Sequence, residues 1–133
     1  MTTLALIKKE HQKRIDTLLN DCLVFWAFSN EQFAKNKTPL QEGEKYVSIG
    51  AGGYMPKSKV DTYLNGMKEI NKWFKNATKP AEIRKAHIAY ELNNYEAFYT
   101  GDIEDTLSAL GSDYSAAEVW DVYHEVAKKQ LQY

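Results

Sequence analysis

The sequence has little cysteine, little proline and no long apolar run. Cys22 is the only cysteine in 133 residues, so no intramolecular disulfide can form. Its place in a helical pattern between Leu19 and Leu23 predicts a buried thiol rather than a reactive one. No run approaches the roughly 18 apolar residues of a membrane-spanning helix. An apolar patch precedes the basic cluster near the N-terminus, the reverse of a secretory signal. We therefore expect a cytoplasmic protein without a membrane partner.

Neither sign of charge dominates the chain as a whole. The formal net charge of −1 gives no general reason to expect nucleic-acid binding. The charge is uneven, because residues 1–80 hold 13 Lys or Arg against 8 Asp or Glu, whereas residues 81–133 hold 4 against 10. Nine of these acids lie in a stretch without Lys or Arg: Glu91, Glu96, Asp102, Glu104, Asp105, Asp113, Glu118, Asp121 and Glu125. This stretch predicts either an acidic surface that attracts a basic partner or two halves that neutralise each other.

Apolar residues at helical spacing fill most of the chain. They predict helices from Leu4 to about Val24, from Ser29 through Phe33, from Ser58 to near Asn76, from Thr78 to Tyr99, from Asp102 through Leu110, and from Ser115 onward. The residues that we expect to cap these helices are Thr3, Ser29, Ser58, Thr78, Asp102 and Ser115. The fourth helix carries two apolar stripes, which predicts a central position for it.

Residues 36–57 interrupt the helical pattern with glycines and prolines, and they contain two short extended patterns at residues 46–49 and 54–55. We therefore predict a mainly α (α+β) fold. It should have five to six helices around one core and a small β-hairpin or irregular glycine-rich lobe at about residues 45–56. The length of 133 residues fits a single domain, 1–133.

The stretch SIGAGGYMPKSK, residues 48–59, is a candidate anion-binding loop. Glycines let backbone N–H groups approach an anion, and lysines and a helix start follow. The candidate residues are Gly50, Gly52, Gly53, Lys57 and Lys59. The stretch matches neither the phosphate-loop pattern GxxxxGK[ST] nor the dinucleotide pattern GxGxxG. A tight hairpin also needs glycines at positive φ, so a turn without a ligand is the alternative.

The stretch YELNNYEAFYTGD, residues 90–102, combines carboxylates, amides and tyrosines. Tyrosine offers a large apolar area with a hydrogen-bonding tip, which is typical of protein recognition faces. Stacked nucleic-acid bases would need nearby cations, and these are absent. We predict a partner-binding face made of Glu91, Asn94, Tyr95, Glu96, Tyr99 and Asp102. The alternative is that the rings in this part of the chain belong to the core, above all Tyr90, Phe98 and Trp120.

Residues with catalytic or metal-binding chemistry form no recognisable motif. His87 and Glu91 are four residues apart, a spacing at which two helical side chains can share a metal, but further ligands are missing. There is no HExxH motif and no nucleophile elbow. The carboxylates of Glu91, Glu96 and Asp102 leave a hydrolase as the weaker alternative. We expect no metal, no cofactor and no catalytic residue.

Three stretches resemble an uncharacterised family of small proteins from bacteriophages and mobile elements of gut and related bacteria. They are AFSNEQF (27–33), IGAGGYMPKS (49–58) and YELNNYEAFYTGD with DTLSALG (90–111). That family has no known activity, and the position of Tyr95 is commonly histidine in it, so no site residue is carried over. The resemblance implies expression in a bacterial cytoplasm, where small accessory proteins often bind host or defence components.

These observations predict a small accessory protein that binds a protein partner through residues 91–105 and the glycine loop. The first alternative is a binder of a nucleotide or another small anion at residues 50–59. The sequence leaves the oligomeric state open.

Overall fold

The computed structural model describes residues 2–130, which form seven α-helices, one 3₁₀ helix and one antiparallel sheet. The helices are α1 (Leu4–Asp21), α2 (Asn30–Asn36), α3 (Val60–Ala77), α4 (Ala81–Asn94), α5 (Ala97–Thr100), α6 (Glu104–Leu110) and α7 (Ala116–Gln130), with the 3₁₀ helix at Lys57–Lys59. The strands are β1 (Phe25–Trp26), β2 (Tyr46–Gly50) and β3 (Gly53–Pro56). The prediction of a mainly helical α+β fold is confirmed.

These elements form two compact units, each with many contacts among its own residues. The N-terminal unit comprises Ala5–Asn76 and holds the sheet, α2 and nearly all of α1 and α3. The C-terminal unit comprises residues 77–130 together with residues 2–4.

None of the helices in residues 2–130 has the length and apolar character needed to cross a membrane.

In the N-terminal unit, α1 approaches α3 closely at a glycine. A Cβ atom on Gly66 of α3 would overlap the side chain of Leu18 on α1. On the same two helices, the guanidinium carbon of Arg14 lies 4.1 Å from the centre of the Trp73 ring.

The predicted buried thiol is confirmed just after α1, because Cys22 is 0% exposed and burial raises its pKa.

The sheet is an antiparallel β2–β3 hairpin extended by the two-residue strand β1, in the order β1-β3-β2. A hairpin was predicted here, with an irregular lobe as the alternative. Strand β1 was not predicted, because a two-residue strand is too short to show a period-two pattern. Phe25, Tyr46 and Tyr54 come from the three strands, and their rings pack around Phe33 of α2 with centroid distances of 5.1 to 5.3 Å. This aromatic cluster covers one face of the sheet.

Two of the predicted serine caps are confirmed. The Ser29 hydroxyl accepts a hydrogen bond from the N–H of Gln32 at 3.1 Å, and the Gln32 side chain accepts one from the N–H of Phe28 at 2.8 Å. At the start of α7, the Ser115 hydroxyl accepts a hydrogen bond from the N–H of Glu118 at 3.1 Å. These local hydrogen bonds satisfy helix N–H groups that have no partner within the helix.

The starts of α3 and α4 differ from the predicted caps. Thr78 was wrongly predicted to cap α4: Pro80 occupies the cap position without a side-chain hydrogen bond, and Thr78 is buried. Before α3, the N–H of Ser58 donates to the Glu44 carboxylate at 2.9 Å, so a carboxylate from the preceding loop holds this turn. A partner 14 residues away leaves no local sequence signal.

In the C-terminal unit, α4 occupies the centre and contacts α5, α6 and α7. The buried apolar residues of this unit form one cluster: Ile88, Leu92, Ala97, Ile103, Leu110, Val119 and Val122. The predicted central position of this helix is therefore confirmed within its unit.

Candidate functional site

The helix that was predicted to run to Tyr99 is interrupted, so its predicted end was wrong. α4 ends at Asn94, and Glu96 takes the left-handed conformation (φ 55°, ψ 30°), which is uncommon for residues other than glycine. α5 then begins at Ala97, whose side chain is buried, whereas Tyr99 is 92% exposed. The break removes Tyr99 from the apolar stripe that it would share with Leu92 in a continuous helix.

Five of the six residues predicted to form a partner-binding face are exposed around this break. We call these five residues the tyrosine segment: Asn94, Tyr95, Glu96, Tyr99 and Asp102. Within it, Tyr95 is 42% exposed. Glu91 is the exception, because it is only 9% exposed and its carbonyl oxygen accepts a hydrogen bond from the Thr106 hydroxyl at 3.4 Å. Glu91 therefore belongs to the interior of the C-terminal unit.

A depression of about 320 Å³ lies beside Tyr99. It is lined by Asn93, Glu96, Phe98 and Tyr99. A hydrolase built on Glu91, Glu96 and Asp102 would need these carboxylates to converge on one pocket. Neither Glu91 nor Asp102 lines this depression. The depression therefore contains one carboxylate beside a tyrosine, rather than a pair of carboxylates.

Asp102 also has a structural role at the start of α6. Its carboxylate accepts a hydrogen bond from the N–H of Glu104 at 2.9 Å, and its own N–H donates to the Thr100 hydroxyl at 3.1 Å. The predicted hydrogen bond from this helix start to Asp102 is therefore present, although Ile103 occupies the cap position itself. Substitutions of Asp102 will change the stability of α6 as well as the surface charge.

Two of the nine acids in the basic-poor stretch are paired within the C-terminal unit. The Arg84 guanidinium binds both oxygens of Glu118, and the Lys85 ammonium lies 2.5 Å from Glu125. These hydrogen bonds lower the pKa of both carboxyls and raise the pKa of both bases. The two carboxylates of the tyrosine segment form no ion pair with any residue in 2–130. No ion pair within the described residues therefore offsets the carboxylates of that segment.

A polar cluster around Tyr114 was not predicted. The Tyr114 hydroxyl lies 3.0 Å from Nδ1 of the buried His87, and the Arg84 guanidinium carbon lies 3.9 Å from the centre of the Tyr114 ring. Arg84 also donates to the carbonyl oxygen of Asp113 at 2.6 Å. The two hydrogen-bonded pairs are 27 and 29 residues apart, so no local spacing could indicate them. Across the described chain, no group of three or more His, Cys, Asp or Glu could hold a metal ion.

The glycines of the candidate anion-binding loop form the turn of the β2–β3 hairpin. Both central residues of the turn have positive φ, 51° at Ala51 and 82° at Gly52, as a two-residue hairpin turn of this kind requires. Gly50 also has positive φ, and Gly53 is covered by the side chains of Ile49 and Trp26. These glycines are therefore explained by turn geometry and by close side-chain packing.

The lysines of the same candidate site lie at the other end of β3. Lys57 and Lys59 belong to the 3₁₀ helix that follows the strand, and the N–H of Lys57 donates to the carbonyl oxygen of Lys45 at 2.8 Å. Four strand residues at about 3.3 Å each separate them from the turn by roughly 13 Å. The glycines and the lysines thus do not form one cradle. Anion binding at the lysine end stays a prediction.

The model of a protein family of unknown function matches residues 7–130, which include both the hairpin and the tyrosine segment. The chain belongs to this family, DUF7659. This match confirms the prediction that the chain belongs to an uncharacterised family. No curated protein and no solved structure matches the chain. For this DUF7659 protein, arguments about function therefore depend on its own residues.

Proposed function

We propose that this protein binds a protein partner through the tyrosine segment. The observation that carries the proposal is the 92% exposure of Tyr99. A side chain exposed to this extent adds little to the stability of its own chain, whereas burying a large aromatic side chain gains about 1.5–3 kcal/mol. Tyrosine is also enriched among the residues that dominate binding energies at protein interfaces.

The neighbours of Tyr99 suit such an interface. Tyr95 adds a second half-exposed ring, and the Asn94 amide and the two tyrosine hydroxyls offer both donors and acceptors. The depression beside Tyr99 can receive a side chain of the partner. A rigid aromatic anchor among adaptable polar groups is a common composition for a protein-binding surface.

The negative charges near Tyr99 indicate which kind of protein surface can bind there. Glu96 and Asp102 are exposed and negative, and Glu104 and Asp105 add two exposed carboxylates in the first turn of α6. Opposite charges across an interface accelerate association and select among partners. The proposed partner therefore presents Lys or Arg side chains around a pocket or groove for Tyr99.

We propose in addition that the protein is an accessory protein of a phage or mobile element. In that case it acts in the cytoplasm of a bacterial host and binds a host or defence protein. This part of the proposal is supported by the resemblance of the 27–33, 49–58 and 90–111 stretches to small proteins of such elements. Its mechanism is occupancy of a surface on the partner.

The test is quantitative capture from a lysate of the bacterium that carries the gene. Immobilised wild-type protein is compared with Tyr99→Ser and with Glu96→Lys, and bound proteins are identified by mass spectrometry. The matched control is Phe28→Ser, which removes a ring that is 75% exposed in the N-terminal unit.

We expect a stoichiometric partner that is retained by Phe28→Ser and lost by the other two variants, while all variants keep the wild-type circular dichroism spectrum. The affinity should also fall with added salt. A partner that binds the Tyr99→Ser protein as well as the wild type would refute the proposed site.

A further inference from the structure

In the N-terminal unit, the face of the sheet opposite the aromatic cluster forms one wall of a cavity. Side chains alternate along a strand, so Val47 and Ile49 of β2 point away from Tyr46. Met55 of β3 pairs with Val47 and lies on the same face. These three apolar side chains form one wall of a cavity of about 610 Å³, and the start of α3 forms the other wall.

The walls of this cavity are largely apolar. Met55 is 2% exposed, Val47 and Ile49 are partly buried, and Leu64 of α3 is 57% exposed at the edge. Sites for small molecules commonly have volumes of about 300–1,000 Å³ and apolar walls with a few polar groups. The volume and composition of this cavity fall within that description.

Two charged side chains, Lys57 and Asp61, also line the cavity. Neither forms an ion pair with another side chain in the part of the chain that the structure describes. Asp61 lies in the first turn of α3, where the positive end of the helix dipole offsets its charge. The nearby Glu44 carboxylate already accepts the N–H groups of Gln41 and Ser58. The Lys57 ammonium is therefore the charged group of this cavity that can attract a negatively charged group of a ligand.

We propose that this cavity binds a small amphipathic molecule with an apolar body and one negatively charged end. The apolar body lies against Val47, Ile49, Met55 and Leu64, and the negative end contacts the Lys57 ammonium. This site differs from the tyrosine segment in its position, its chemistry and its ligand, and it does not depend on the proposed protein partner.

The test compares two dyes that differ in charge. Anilinonaphthalene sulfonate has an apolar body and a negative group, and phenylnaphthylamine is its uncharged parent. Fluorescence titration gives the affinity of each dye, and backbone-amide NMR shifts locate it. The variants are Lys57→Ala, with Lys59→Ala as the matched control from the same 3₁₀ helix outside the cavity lining, and Leu64→Ser, with the exposed Leu6→Ser of α1 as its control.

We expect the sulfonate to bind the wild type more tightly than the neutral dye and to shift amides in residues 47–64. Lys57→Ala should weaken the sulfonate about three- to fivefold and leave the neutral dye unchanged, as for a partly exposed charge pair. Leu64→Ser should weaken both dyes about three- to fivefold. The control variants should bind both dyes like the wild type.

Three results would each overturn the proposal: equal affinity of the wild type for the two dyes, sulfonate binding that Lys57→Ala does not weaken, or amide shifts confined to other residues. All four substituted side chains are at least partly exposed, so the variants should fold. Thermal unfolding followed by circular dichroism checks this for each one.

Discussion

Phe98 and Tyr99 are adjacent aromatic residues in α5, and we predict that truncating them has opposite consequences. Phe98 packs against the core cluster of the C-terminal unit and stacks on Tyr123, with ring centroids 5.1 Å apart. Tyr99 is 92% exposed. Phe98→Ala should therefore reduce the free energy of unfolding, whereas Tyr99→Ala should leave it nearly unchanged and abolish partner binding.

The expected magnitudes follow from burial. Replacing a fully buried phenylalanine with alanine costs about 3–5 kcal/mol, and the partly buried Phe98 should cost about 2–3 kcal/mol. An exposed side chain away from caps and ion pairs changes stability by no more than about 0.5 kcal/mol. Both substitutions introduce alanine into the same helix, and phenylalanine and tyrosine have similar helix propensities, so the propensity term nearly cancels.

Urea unfolding of the two variants, followed by far-ultraviolet circular dichroism, measures the difference. With a slope of about 1–3 kcal/mol per molar urea, Phe98→Ala should lower the midpoint by roughly 0.7–3 M, and Tyr99→Ala should match the wild type. If α4 continued unbroken to residue 99, Tyr99 would join the buried stripe and Tyr99→Ala would be the costly change. A loss above about 1 kcal/mol for Tyr99→Ala would therefore refute the break at Glu96.

Three further predictions concern other parts of the chain. Cys22 should react with a thiol reagent in denaturant and much more slowly in the native protein, because its side chain is buried and its pKa is raised; equal rates would contradict this burial. Arg84 lowers the folded-state pKa of Glu118, so this stabilisation is complete above the ordinary pKa of a glutamate carboxyl and is lost as the pH falls through the folded pKa. In urea unfolding, Glu118→Gln should therefore be less stable than the wild type by about 0.5–1 kcal/mol near neutral pH, with a smaller difference in acid, and a constant difference would argue against the pair. Gly53→Ala places a Cβ atom 2.7 Å from Ile49 and should cost about 1–3 kcal/mol in urea unfolding; a variant as stable as the wild type would show that the hairpin can relax.

The features that the sequence predicted correctly depend on residues close together in the chain. The caps at Ser29 and Ser115 involve partners three residues away, and the hairpin turn depends on the backbone freedom of Gly50 and Gly52. The buried position of Cys22 agrees with the apolar spacing of the residues just before it in the sequence. In each case the physical cause lies within a few residues, so a local pattern reveals it.

The candidate site was predicted only in part. The tyrosine segment was identified from its composition, but Glu91 was assigned to the surface, because helical spacing alone does not say which side a neighbouring helix will cover. The structure places Thr106 of α6 against the Glu91 carbonyl, across 15 residues of sequence. The glycines were predicted to form one candidate site with Lys57 and Lys59, although a hairpin places its turn and its strand ends far apart.

The sequence by itself determined the mainly helical class, the starts of α2 and α7, the hairpin and the stretch that carries the exposed tyrosines. Tertiary structure alone decided the break after Asn94, the pairing of β1, the cluster around Tyr114 and the burial of Glu91. The left-handed conformation of Glu96 costs free energy locally, so it persists because the surrounding structure stabilises it, with Ala97 buried in the core. Contacts between residues 15 to 34 positions apart decide such features, and short-range patterns carry no information about them.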